Sequence, residues 1–287
     1  MPIATLTNLD HVVVVVRDLD AARDRWRDLG FTVSDRGLHS AVQGTANHTM
    51  MLEGGDYLEL LGVVAPTERN APMRALLEKR EGIERAGFRS TDAAAGVAAV
   101  KAAGIPDVMG PLAFSRPVTP KNGLATEARF DTFHWPLTEK PGGLRIFACQ
   151  HHTPDAVWLP ELLPHRNGAT AIRHLDVVDD DAKAAADHLG RLLDLPVTSP
   201  ARGIWQVDPG ASMGRIRFLS RATLAERHPG VPLDHLPERG GAALSLACQS
   251  IEKARAVLGP RAVRTGPASL AVPPAAANGA LIEFVAA

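Results

Sequence analysis

The sequence predicts an α+β protein built from four β-α-β-β-β units, two in each half of its 287 residues. Three observations carry this. Residues 9–33, LDHVVVVVRDLDAARDRWRDLGFTV, align with residues 172–197, IRHLDVVDDDAKAAADHLGRLLDLPV, through a single one-residue insertion. His11 falls on His174, Ala22 on Ala186 and Val33 on Val197, the signature of an internal repeat. Each copy reads as a β-branched strand, an Asp-rich cap and an amphipathic helix, and short strand-like runs follow. The Pro-rich stretch HHTPDAVWLPELLPHRNGA, residues 151–169, stands between the halves as a linker or a packed crossover segment.

In the first unit, Val12–Val16 form the strand, and Leu19, Ala22, Trp26 and Leu29 recur at helical spacing. FTVSD (31–35), HTMML (48–52) and DYLELLGVV (56–64) then read as strands, punctuated by Gly, Asn and Asp. A degenerate second unit starts at AGFRSTDAAAGVAAVKAAGI (86–105) and continues through ATEARFDTFHW (125–135) and GLRIFACQ (143–150). The third carries Ala182, Ala185, Ala186, Leu189 and Leu193 on one helix face. The fourth runs from AALSLACQSIEKARAVLG (242–259) through SLAVPP (269–274) to ALIEFVA (280–286). The expected division is 1–150, a crossover at 151–169, and 170–287.

Composition narrows the function classes. A hydrophobic content of 45% suits buried cores, and the formal charge of -1, with both signs mixed along the chain, predicts neither a nucleic-acid partner nor an anionic membrane partner. No apolar run is long enough to span a bilayer, and the start MPIATLTNLD lacks the features of a signal peptide, so a cytoplasmic protein is expected. Cys149 and Cys248, far apart in strand-like runs, read as reduced buried thiols. There is no P-loop, HExxH or GxSxG motif.

The chemistry-bearing candidates centre on His11 and Glu59. Glu59 alternates with Leu58 and Leu60, so if those pack under helices it faces the opposite side of the sheet. An imidazole and a carboxylate on one face supply donors that Zn, Ni, Mn or Fe(II) accept. A hydrogen-bonded core histidine and a salt-bridged glutamate are the plainer alternative. His48 and His134 occupy corresponding strands of the first two units, which would let both project into one cup, and they are candidates for acid/base work (His48) and substrate contact (His134). Arg145 is a candidate anchor for a carboxylate or phosphate.

The four-unit arrangement, the histidine after an xDH start, and GTANHTMMLEGGDYLELLGV (44–63) with Glu59 resemble the vicinal oxygen chelate superfamily, in particular its glyoxalase-like branch with a degenerate second module. The resemblance implies paired modules forming cup-shaped mixed sheets flanked by helices. It also implies a divalent metal on ligands from the first and fourth strands, here His11 and Glu59. The second module departs from that pattern. ERAGFRST places Gly87 and Phe88 where a histidine is expected, and LRIFACQ has no carboxylate; His134, His48, His151 and Gln150 are candidates to complete the set. His174 and Glu283 resemble the ligands of extradiol dioxygenases, but the matching first strand carries only Ser245.

Two functions follow from the resemblance. One is a metal-dependent isomerase or lyase that chelates a small oxygenated molecule, with Glu59 and His48 moving protons. The other is a metal-free protein that binds a drug or aromatic metabolite, as drug-sequestering relatives do. The partner in either case is a small molecule, and four units in one chain suit a monomer with an internal pseudo-dimer, or a homodimer.

Overall fold

In the computed structural model, which describes residues 3–121, 123–210 and 214–287, the chain folds into two eight-stranded mixed sheets. The first unit is β1 (Leu6–Val16), α1 (Leu19–Asp28), β2 (Gly37–Leu38), β3 (Thr45–Met51) and β4 (Tyr57–Val63). A connecting helix, α2 (Ala71–Lys79), leads to the second unit: β5 (Gly82–Ser90), α3 (Ala93–Ala102), β6 (Met109–Val118), β7 (Thr126–His134) and β8 (Arg145–His151). The third holds β9 (Ala169–Val178), α4 (Ala182–Leu193), β10 (Val197–Ala201), β11 (Ile204–Val207) and β12 (Arg215–Leu219). After a second connector, α5 (Arg221–Arg227), the fourth holds β13 (Gly240–Cys248), α6 (Ile251–Leu258), β14 (Val263–Gly266), β15 (Ser269–Val272) and β16 (Leu281–Ala286). The four expected units are all present.

Each unit turns from strand to helix in the same way. The side chains of Asp18, Asp92, Asp181 and Ser250 accept from the backbone N–H three residues on, at 2.9–3.2 Å, which satisfies a donor that the helix start leaves open. The order β2-β3-β4-β1-β5-β8-β7-β6 puts the two first strands, β1 and β5, antiparallel at the centre; β10-β11-β12-β9-β13-β16-β15-β14 repeats it. The first sheet curls until its edges meet: an ideal β-carbon on Gly37 of β2 would lie 3.2 Å from Cδ of Arg116 on β6.

Strand alternation divides the interior. Val12, Val14 and Val16 join Trp26 of α1, Val97 and Val100 of α3, Leu189 of α4 and Leu258 of α6 in one core that runs between the backs of both sheets. Val13 and Val15 face the other way, into the first cup, with Tyr57, Phe130 and Phe147. In the second cup, Leu224 of α5 and the following Val231 and Leu236 pack against Val178, Ile204 and Leu219.

The expectation of a strand at FTVSD is corrected. Residues 31–36 are irregular and the second strand is the two-residue β2. Phe31 and Val33 are buried in the helix layer, and His165 Nδ1, from the crossover, accepts the Thr32 N–H at 2.9 Å in place of a strand partner. That leaves His165 Nε2–H to donate to Met51 O at 3.0 Å. The crossover packs elsewhere too: Ala156 and Val157 are buried, and Asn167 donates to Leu29 O at 2.9 Å.

Candidate functional site

The site grows from a bulge in β1. Leu9 and Val12 both face the core, and the pairing with β5 shifts register between Leu9 and His11, leaving Asp10 as the extra residue. A bulge re-aims side chains, and here it sets Asp10 beside His11, deeply buried. Asp10 accepts from His11 Nδ1 at 2.7 Å, from His151 Nε2 at 2.9 Å and from Arg89 Nε at 2.7 Å. Burial alone would raise its pKa, but His151 and His11 outweigh that and hold the carboxyl far below the usual carboxylate range. Asp10 therefore fixes the His11 tautomer with Nδ1 protonated and Nε2 facing the cup.

Glu59 meets that nitrogen. It faces the cup, while Leu58 and Leu60 on either side lie in the helix-packed core. Its Oε2 is 3.5 Å from His11 Nε2, and its Oε1 accepts from Asn47 Nδ2 at 2.8 Å. Tyr57 stacks on the His11 ring at 4.3 Å and Phe147 meets it edge-on at 5.0 Å. The cavity above is about 520 Å³ and is also lined by Arg85, Arg116, His134 and Arg145.

The second unit carries the counterpart of this arrangement with different chemistry. Superposing the helix caps Asp18 and Asp92 sets Arg85, rather than Gly87 or Phe88, at the position of His11, and Glu84 at that of Asp10. The pairings agree: His11 lies opposite Tyr57 and Arg85 opposite Arg145, so Phe147 takes the place of Glu59. Glu84 is again the bulged residue. It is buried and holds both Arg85 and Arg145, the latter at 3.0 Å. Burial opposes its ionisation, yet the two guanidinium groups keep its pKa below normal. Gly87 has a different part. A β-carbon there would sit 2.6 Å from His11 Cε1, so the glycine makes room for the imidazole; Phe88 is buried in the core.

The remaining sequence candidates fall out as follows. His48, expected in the cup beside His134, points the other way: Thr45, Asn47 and Thr49 line the cavity, while His48 shares its face with Ala46 and Met50 and bonds Ser34 O at 2.8 Å. The two-residue strand period decides this. His134 does line the cup, stacked on Phe147 at 5.3 Å. Burial first, then Arg85 and Arg145, push its pKa down to about 3, so it is neutral. Arg145 lines the cup and shares Glu84 with Arg85. Gln150 caps α3, accepting from Ala93 N at 2.8 Å. His151 serves Asp10, and its buried Nδ1 has no hydrogen-bond partner among the described residues.

Two groups were candidates to hold an ion. Asp10, Cys149 and His151 bring ligand atoms within 4.8 Å of one another. There Asp10 is already saturated by two imidazoles and a guanidinium, and burial pushes the Cys149 thiol well above its ordinary pKa, which disfavours the thiolate a metal needs. His11 Nε2 and Glu59 Oε2 fit better. Their separation of 3.5 Å is longer than a hydrogen bond, and it suits two donors each about 2.1 Å from one ion. Asp10 on Nδ1 supplies the carboxylate support that ligating imidazoles need.

The second cup has His174 Nε2 at 3.9 Å and His228 Nε2 at 3.6 Å from Glu283, with Ser245 paired to Glu283 across the strands. Burial pushes His174 down to about 4. Asp176, beside it, is held by Arg217 at 2.7 Å. His228 enters from the end of α5, which the sequence repeat does not contain.

Paired β-α-β-β-β units enclosing a cup, with a histidine on the first strand and a glutamate on the fourth, define the class of the fold and its site. A family model described as a glyoxalase-like domain matches residues 9–193. The chain belongs to this glyoxalase-like domain family, within the vicinal oxygen chelate superfamily. No curated protein is significantly similar in sequence. Among solved structures, a hypothetical protein from Staphylococcus aureus matches with TM-score 0.68 at 13% identity, over 98% of this chain and 99% of that one. The Mn(II)-bound glyoxalase from Novosphingobium aromaticivorans matches with TM-score 0.54 at 12% identity, over 98% and 82%. A xylose isomerase-like TIM barrel/4-hydroxyphenylpyruvate dioxygenase fusion protein matches with TM-score 0.59 at 12% identity, over 100% of this chain and 50% of that one. These likenesses are of fold.

Proposed function

We propose that the chain is a glyoxalase-type isomerase or lyase that acts on a small oxygenated molecule in the first cup, with a divalent metal held by His11 and Glu59. The observation that carries this is the line Asp10–His11–Glu59: a carboxylate orients the imidazole, and the other ring nitrogen, facing the cup, stands 3.5 Å from a second carboxylate. When bound, the ion supplies Lewis-acid polarisation of substrate oxygens. The protein contributes the rest. Tyr57 and Phe147 wall off the His11 ring from water, and Asn47 holds Glu59 Oε1, leaving Oε2 turned toward His11; as a carboxylate in the cup Glu59 is also the base that would move a proton of the substrate when it is not bound to the ion. The two free, buried cysteines fit a reducing cytoplasm.

A second reading, a metal-free protein that binds an aromatic ligand, is favoured by one observation. Arg85 and Phe147 stand where the second module would place its own donors. Metal content by plasma mass spectrometry on untagged protein separates the two. Near-stoichiometric metal in the wild type, lost in His11→Ala and Glu59→Ala, is expected. No metal after reconstitution would leave the binding reading.

A further inference from the structure

We infer that the ligand of the first cup is an anion, whose oxyanion end is seated between Arg116 and the Arg85–Arg145 pair. This deepens the proposed function, since it rests on the first cup being the substrate site. Arg85 and Arg145 lie opposite each other on paired strands and share a single carboxylate, Glu84. Two cations on one anion leave one positive charge uncompensated. Arg116 adds a cation with no carboxylate of its own. It lies on β6, where Leu112, Phe114 and Arg116 alternate inward, and its guanidinium lines the same cavity. Glu59 and Tyr57 act on it through their fields, and Glu59, Glu68 and Asp107 line the same cavity, but no carboxylate among the described residues is within ion-pair distance of Arg116.

A partly buried guanidinium without a carboxylate is costly, and burial pulls the Arg116 pKa down from its usual value. His134 is neutral there, so it does not add to the positive charge. An oxyanion entering the cup would restore the balance, and the planar fork of arginine matches a carboxylate or phosphonate in two parallel bonds. The stacked Phe114–Phe130 pair, 4.8 Å apart, offers the rest of the ligand an apolar wall.

The test is calorimetric binding to a panel of small acids paired with their uncharged methyl esters: benzoate, mandelate, malonate and benzylphosphonate. Wild-type protein is expected to bind at least one acid roughly tenfold or more tightly than its ester, as loss of a charge-assisted bond requires. Arg116→Gln is expected to abolish that preference with the melting temperature retained, and Arg116→Lys to restore part of it. If no acid is preferred over its ester by the wild type, or if the preference survives in Arg116→Gln, the inference is overturned. The wild-type comparison decides even if the variants fail to fold. Wild type that takes up no metal on reconstitution yet prefers acids removes the enzyme reading alone; metal-loaded wild type without acid preference removes only this inference.

Discussion

The His11 imidazole occupies the space that a side chain at Gly87 would need. An ideal β-carbon at Gly87 would lie 2.6 Å from His11 Cε1, 2.9 Å from Nδ1 and 3.0 Å from Phe147 Cζ. Gly87→Ala is therefore expected to displace the ring or strain the strand pair, at a cost of about 1–3 kcal/mol. Urea denaturation measures the cost, and metal content reports whether His11 has moved. An unchanged midpoint would mean the ring shifts freely.

Asp10 is the hub behind that ring. Asp10→Asn keeps the shape but removes the charge on which His11, His151 and Arg89 converge, a loss of roughly 3 kcal/mol for a broken buried charge cluster. The pH dependence has a definite sign. A carboxyl with a depressed folded pKa contributes its stability above the unfolded value of 3.8 and loses it as the pH falls below that. Wild-type stability should thus drop steeply below about pH 4, and the drop should be shallower in Asp10→Asn. Equal acid limbs would contradict the assignment.

Asp56 has the opposite sign. Burial raises its pKa from 3.8 to about 7, although its Oδ2 accepts from Ile172 N at 2.9 Å across the two halves. The folded state holds this proton through a window in which the unfolded chain has released it, so stability falls as the pH rises from 3.8 to 7. Asp56→Asn keeps an acceptor without the charge. Its unfolding free energy, measured by urea denaturation, should exceed that of the wild type above pH 7 by a few kcal/mol, and the gap should close toward pH 4.

His134 is expected to stay neutral throughout the physiological range, because burial and the neighbouring Arg85 and Arg145 push its pKa to about 3. Its ring carbon resonances should not move between pH 5 and 8 in an NMR titration. A titration midpoint near 6.5 would show that the ring is solvated.

Much of this was legible in the sequence. The repeat that set His11 on His174 marked the first strands of the two halves, and the Leu58–Glu59–Leu60 alternation placed Glu59 in the cup, where it lies. Asp10 and Glu84 were not legible, because a bulge breaks the period of two on which strand reading depends. The same shift moved the counterpart of His11 from Gly87 to Arg85. His48 was misplaced for a simpler reason: strand and unit were right, but the pleat turns it to the helix side.

The sequence by itself determined the elements that local rules govern: four strand-cap-helix units, and the faces of the valine run and of Glu59. Periodicity and capping act within a few residues, so they can be read along the chain. Only the tertiary structure decided which side chains meet. The register across β1 and β5, with its bulges at Asp10 and Glu84, delivers Asp10 to His11 and Glu84 to Arg85, and the curl that brings β2 to β6 carries Arg116 into the same cup. Those meetings depend on pairings between distant strands, and packing fixes them only when the whole sheet has closed.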